Sequence, residues 1–468
     1  MLPLLAALAV AAPAPYVTPD RVVSAREAID WAATREEVAA LLSEYLQVDT
    51  TNPPGHELRG VVWLGSVLGR EGIGWETVDH GDDRASLIAR LPGSGAGPPV
   101  CLLSHIDVVT AEAEGWQRDP LGGERVGGEV WGRGALDMKG MGIVELETML
   151  LLHRSQIPLG REVILLAVAD EEIDGLGMQA LVRDHWSRIG CSHLINEGGI
   201  ALDGALFDGQ VVHAISVAEK GIAWIRMTAE GTPGHGSVPD PEVEAPARLL
   251  AAMRRIEDKY RPKPAIDPVM RELLRAAGRE RGGVVRLILG SRLLTGLIVR
   301  PKLLSDANTR AAITTTVHLT GMAGAHQPNV VPSAVSAQYD CRLLPGDTPE
   351  EMVAELRRIT SRVPGITFEL LDGFESNRSP VDDPFYRRIA HYSVEGRDGH
   401  VAAPLLSVGF TDSLYARPLG VHAYGYVPFV VSSQEADTMH GHDERVTEQN
   451  LEEGTRRLFS ILVDFAGL

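Results

Sequence analysis

Apolar residues first recur at helical spacing in Val38, Leu41, Leu42, Tyr45 and Leu46, and Thr34 with Glu37 has the form of a capping box. The pattern therefore predicts a helix starting near Thr34 and ending before the loop "DTTNPPG". Strand-like runs follow in "ASLIARL" and "PPVCLLS", a helical run in "GIVELETMLLLHRS", a strand in "EVILLAVA", a helix in "MQALVRDHWSRI" and a strand in "SHLIN". Short apolar runs alternating with amphipathic ones predict an α/β domain around a mostly parallel sheet.

After about Ala214 the order changes. "AWIRMTAEG" reads as a strand, "PARLLAAMRRI" as a helix, "AITTTVHLTGM" and "AVSAQYDCRL" as strands, "PEEMVAELRRI" as a helix and "ITFELLDG" as a strand. That β-α-β-β-α-β order predicts an inserted α+β, ferredoxin-like domain. Residues 260–310 read as extra helical material within it, and "VVRLILGSRLLTGLIV" as its core, with cover for a greasy acyl chain as the alternative. The expected division is an N-terminal extension over 1–33, a first catalytic part over 34–213, the inserted domain over 214–376 and a second catalytic part over 377–468.

Composition narrows the class. The chain has 468 residues, 44% hydrophobic and 23% charged, which is the make-up of a globular protein. Its 63 acidic and 44 basic side chains give a formal charge of -19, which repels nucleic acid and anionic lipid. The three cysteines, Cys101, Cys191 and Cys341, form no CxxC pair, so neither a disulfide framework nor a thiolate zinc site is expected. The apolar amino end, with small residues near Ala12 to Ala14, has the length of a signal peptide and predicts export to the periplasm or beyond. It lacks a basic flank, which leaves the cytoplasm as the alternative. No other segment is apolar enough to span a membrane.

Several predicted strands deliver an acid or a histidine as they end. "CLLSHID" carries His105 and Asp107, "LLAVADEE" carries Glu171 and Glu172, and "HLINEGG" carries Glu197. Ligands in open α/β sheets bind at the carboxyl ends of strands, so these groups are expected to converge. With Asp137 of "GRGALDMKG" and His440 of "MHGHDERV" they make a donor set suited to zinc, although spacing alone leaves His442 as a competitor of His440. Two dications, bridged by Asp137, would offset Asp137, Glu172, Glu197 and a hydroxide, which answers the cost of clustering acids in a partly buried place. Neighbouring side chains in an extended segment diverge, so Glu171 is free to face the reacting water as general base while Glu172 binds metal. Asp107, two residues after His105, is expected to accept the imidazole N–H. Asp170 reads as structural.

The ordered motifs "SHIDVV", "GRGALDMKGMG", "ADEEIDG", "INEGG", "GTPGHGSVP" and "MHGHDERV" resemble the dinuclear zinc amidohydrolase family. That family includes aminoacylases, carboxypeptidase S, glutamate carboxypeptidases, acetylornithine deacetylase and succinyl-diaminopimelate desuccinylase. The likeness covers nearly the whole chain after residue 35 and is greatest with the carboxypeptidase S and long aminoacylase branch. The resemblance implies His105, Asp137, Glu172, Glu197 and His440 as ligands of two Zn2+, with Co2+ or Mn2+ as substitutes, and a cis peptide after Asp137. It selects His440 over His442, because the motif reads His, two residues, Asp and Glu. It also implies an inserted lid and dimerisation domain whose His235 reaches a partner's site and stabilises an oxyanion, with Asn329, Arg342, Gly409 and Thr411 holding substrate. A guanidinium at Arg342 suits a terminal carboxylate because its fork donates two parallel hydrogen bonds. The expected reaction is amide hydrolysis in an N-acyl amino acid or a small peptide with a free carboxylate, as an aminoacylase or, alternatively, a carboxypeptidase or dipeptidase. The rival class, a non-catalytic binding protein on the same fold, would lack the base or a ligand, and every such position here is filled.

Overall fold

A computed structural model describes residues 16–204, 206–324 and 327–468. The expected signal segment lies outside the described residues. Among the described residues no helix is long and apolar enough to cross a membrane.

The larger domain is built on a ten-stranded sheet. Its strands are β1 (Trp75–Gly81), β2 (Arg84–Leu91), β3 (Val100–His105), β4 (Val163–Val168), β5 (His193–Asn196), β6 (Ala201–Asp203) and β7 (Val211–Glu219). The inserted domain supplies β8 (Gly221–Glu230), β9 (Thr316–Ala323), β10 (Ala334–Leu343) and β11 (Ile366–Phe374), after which β12 (His400–Ser407), β13 (His422–Gly425) and β14 (Val430–Val431) complete the large sheet. The order is β1-β2-β4-β3-β5-β13-β7-β6-β14, with β12 on β7. The central strands β4, β3, β5 and β13 run parallel. β3 and β4 are buried at every position, as their unbroken apolar sequence requires when helices cover both faces. The helices include α1 (Trp31–Leu46), α2 (Glu57–Arg70), α3 (Lys139–Arg154), α4 (Ala245–Lys259), α5 (Pro268–Arg281), α6 (Pro349–Thr360) and α7 (Glu448–Phe465). α1, α3 and α7 pack together in the main core through Leu42, Leu146, Leu150, Phe459 and Leu462. α4 and α6 cover the antiparallel inserted sheet, whose order is β9-β10-β8-β11.

Five expectations change. α1 begins one turn before Thr34, because the Asp30 carboxylate accepts the amide N–H groups of Ala32 and Ala33 and is the stronger cap; the Thr34 hydroxyl donates back to the Asp30 carbonyl. Residues 16–33, expected to belong to an N-terminal extension, pack on the catalytic domain, since Val22 joins the core and Arg21 pairs with Asp464 on α7. β7 stays in the large sheet as far as Glu219, five residues beyond the expected boundary at 214. The helical material near 260–310 leaves the inserted domain and packs on the large sheet, where Met270, Leu273, Leu274, Leu303 and Ala312 meet Val212 and Ala403. "VVRLILGSRLLTGLIV" is not domain core either, because Val284, Leu287, Leu293, Leu297 and Ile298 are exposed.

Cys101 on β3 and Cys191, two residues before the adjacent β5, form a disulfide, contrary to the expectation of none. They stand 90 residues apart in sequence, and only the strand order brings them together. Cys341 is free and buried.

Four stretches of chain connect the inserted sheet to the large one, and they run in two adjacent pairs. The Ser376 hydroxyl donates to the Glu219 carbonyl, and the Tyr260 hydroxyl donates to the Thr315 carbonyl at 3.0 Å. Buried Lys220 ties one pair to the other through the carbonyls of Ala311 (3.1 Å) and Thr314 (2.8 Å).

Candidate active site

At the carboxyl end of β3, His105 turns Nε2 toward Asp137 Oδ1 at 3.1 Å and Glu197 Oε1 at 3.8 Å. On the other side of Asp137, His440 Nε2 lies 3.1 Å from Oδ2 and 3.3 Å from Glu172 Oε2. The two oxygens of Asp137 thus divide the cluster into halves, one with His105 and Glu197 and the other with His440 and Glu172. Ligand atoms of His105, Glu171 and Glu197 lie within 4.8 Å of one another. The structure therefore brings together all five residues expected to hold metal and the expected base. His442 points elsewhere, against Gly115 and the edge of Trp116. A cis peptide joins Asp137 to Met138.

The acids and imidazoles of the cluster shift one another's titration. Burial, then the charge of Glu197, pushes the Glu171 carboxyl well above its usual range. Burial, then Asp137, does the same to Glu197. Burial opposes the His105 imidazolium, but the hydrogen bond to Asp137 and three further carboxylates outweigh it and raise His105 well above an ordinary histidine. The hydrogen bonds it donates to Asp137 and Glu172 push His440 up to about 10. Buried Glu172 Oε1 has no hydrogen-bond partner among the described residues. Two imidazoles and three carboxylates divided by a bridging acid fit a pair of divalent ions.

The surroundings hold these groups from behind, and Asp107 does so differently from the expectation. His105 Nδ1 donates to the Asp107 backbone carbonyl at 2.9 Å, whereas its carboxylate is 3.7 Å away. The carboxylate instead accepts the amide N–H groups of Glu171 (3.1 Å) and Glu172 (3.2 Å) and the Asn52 side-chain amide (2.8 Å). Asn52 also donates to Asp170, which pairs with Arg84. Asp170 has φ 69°, and this turn sends Glu171 and Glu172 into the cluster. Glu444 accepts the amides of Leu136 (2.8 Å) and Asp137 (3.0 Å) and pairs with Arg133 at 2.6 Å, so it fixes the bridging acid.

Asn52, Arg84 and Asp412 carried no visible signal in the sequence, whereas Glu444 stood inside the motif "HGHDE". Asp412 is buried near His105, with Oδ2 unpartnered among the described residues; burial, followed by the neighbouring acids against the pull of His105, holds it well above the carboxylate range.

The expected substrate-holding residues divide. His235 and Asn329 lie together on an exposed ribbon formed by Gly234–His235 and Val330–Val331. His235 Nδ1 accepts from Ser237, and the Asn329 carbonyl accepts the Gly236 amide. Neither side chain hydrogen-bonds the cluster. Arg342 grips Asp340 at 2.8 and 2.9 Å and lies over the Phe410 ring, beside the loop of Gly409. Gly409 has no heavy atom within 4 Å of its Cβ direction, so space opens there. Thr411 is buried and does not line a pocket with its hydroxyl, which donates to Glu219 at 2.9 Å and accepts from Asn196 at 3.1 Å.

The signature of peptidase family M20/M25/M40 matches residues 101–464. The chain is 29% identical over 371 residues to the Homo sapiens N-fatty-acyl-amino acid synthase/hydrolase PM20D1, covering 78% of this chain and 73% of that protein. It is 26% identical over 416 residues to Mus musculus aminoacylase-1, covering 87% and 90%. The solved structure of human carnosine dipeptidase 1 shares the fold, with TM-score 0.66 at 16% identity over 96% of this chain and 99% of that one.

Proposed function

This chain belongs to peptidase family M20/M25/M40, and we propose that it works as an aminoacylase that uses two Zn2+ to cleave the amide of an N-acyl amino acid bearing a free carboxylate. It is a hydrolase of amide bonds in N-acyl amino acids or peptides and binds metal, as its kinship and the ligand groups require. The preference for N-acyl amino acids is supported by the likeness to aminoacylase-1 and PM20D1. The observation that carries the two-metal reading is the opposed placement of the Asp137 oxygens, one toward His105 and the other toward His440.

His105, Asp137, Glu172, Glu197 and His440 would hold the divalent pair, which would supply polarisation of the scissile carbonyl and a lowered pKa for water. As a carboxylate, Glu171 takes a proton from the attacking water and then delivers it to the departing nitrogen. Asp107 and Asp170 hold the backbone from which Glu171 projects, and Glu444 orients Asp137. Arg342 and the open loop at Gly409 receive the substrate carboxylate, and the ribbon bearing His235 and Asn329 serves a second copy of the chain, where His235 donates to the oxyanion. Exposure of that ribbon supports the dimeric arrangement. Export is part of the proposal, supported by a disulfide of the kind retained in oxidising compartments.

Metal analysis of the purified chain, followed by a hydrolysis screen of N-acyl amino acids against dipeptides, tests this reading. Two zinc per chain and faster cleavage of N-acyl amino acids are expected. Cleavage of dipeptides alone would replace the aminoacylase with a dipeptidase.

A further inference from the structure

A cavity of about 510 Å³ opens beside Glu197, between the large sheet and the helical excursion of the inserted domain. Its size falls within the roughly 300–1,000 Å³ of small-molecule sites. Met270, Leu273 and Leu274 of α5 form one wall, Leu303 and Ala312 a second, and Val212 and Leu405 of β7 and β12 the floor. At its active-site end it meets Glu197, Met439 beside His440, and Val408 beside Gly409.

We propose that this cavity holds the acyl tail of a long-chain N-acyl amino acid, and that the helical excursion over residues 268–312 sets acyl-chain length. The inference rests on the aminoacylase reading and specifies its substrate. Two observations select the occupant. The lining contains no Lys, Arg or His to pair with a carboxylate and is otherwise mostly apolar, so it accepts the uncharged half of the substrate rather than the carboxylate-bearing half. The mouth adjoins Glu197, so a chain inside the cavity leaves its carbonyl at the catalytic cluster. An acetyl group fills little of this space, whereas each methylene that enters it gains up to about fourfold in binding.

The test measures kcat/KM over an acetyl, hexanoyl, dodecanoyl and palmitoyl series on one amino acid, with the metal-loaded enzyme. The rate constant is expected to climb from acetyl to dodecanoyl, and Leu274→Trp to lower the dodecanoyl-to-acetyl ratio at least tenfold. Free dodecanoate is expected to raise the thermal midpoint of the native protein where acetate does not, a readout independent of turnover and unaffected if the Trp variant fails to fold. A flat or falling series together with no dodecanoate shift overturns the cavity assignment and leaves the aminoacylase reading intact. Failure to cleave every N-acyl amino acid overturns that reading, and the dodecanoate shift then decides the cavity alone.

Discussion

Asp107 holds Glu171 by its backbone: the carboxylate Oδ1 accepts the Glu171 amide at 3.1 Å, while Oδ2 accepts that of Glu172 at 3.2 Å. One acid therefore sets the positions of the proposed base and of a metal ligand together. Asp107→Ala is expected to lower kcat about 10- to 100-fold and to weaken metal retention, since supporting groups behind a metal site typically carry that much. Parallel measurement of kcat and bound zinc checks it; a variant with full activity and full metal would show the support to be dispensable.

Glu171→Gln retains the shape of the side chain and removes its ability to accept a proton. Bound zinc is expected to remain near two per chain, while turnover falls about 10²- to 10⁴-fold. Loss of metal in step with activity would instead make Glu171 a ligand.

Groups that a strand end delivers were readable in the sequence, because a buried apolar run stopping at His105, Glu172 or Glu197 announces both the strand and the side chain it presents. Asp137 and His440 needed motif order, since neither sits on a strand. What remained hidden depended on distant chain. Asp107 and His105 are two residues apart, yet the backbone and not the carboxylate meets the imidazole, because Asn52 and the 171–172 amides claim the oxygens. Likewise, the helices near 260–310 looked like part of the inserted domain because they interrupt it, although their apolar faces match β7 and β12.

Glu147 on α3 is fully buried, and burial, reinforced by Glu37 and opposed by Arg154, pushes its carboxyl up to about 8. Between the unfolded value near 4.5 and that of the folded chain, the native state keeps a proton that the unfolded state has lost, so its contribution to stability is full at low pH and declines as pH rises through this window. Glu147→Gln is expected to stabilise the protein by about 1 kcal/mol for each pH unit gained across that range. Denaturant midpoints at pH 5 and pH 8 measure it, and an equal effect at both would rule out the linkage.

The Cys101–Cys191 bond closes a chain segment of 90 residues between β3, which ends at His105, and β5, which leads to Glu197. Reduction, or the Cys101→Ser/Cys191→Ser double variant, is expected to cost about 2–5 kcal/mol of stability. Urea unfolding with and without reductant provides the comparison; the oxidised and reduced wild-type proteins should differ, whereas the double variant should ignore the reductant.

Lys220 gives the two-sheet assembly its mechanics. Because its ammonium clasps the carbonyls of Ala311 and Thr314, the four crossing stretches of chain are gathered at one place. Arg342, His235 and Asn329 all lie beyond that junction on the smaller domain, so any change in its angle would move the three together.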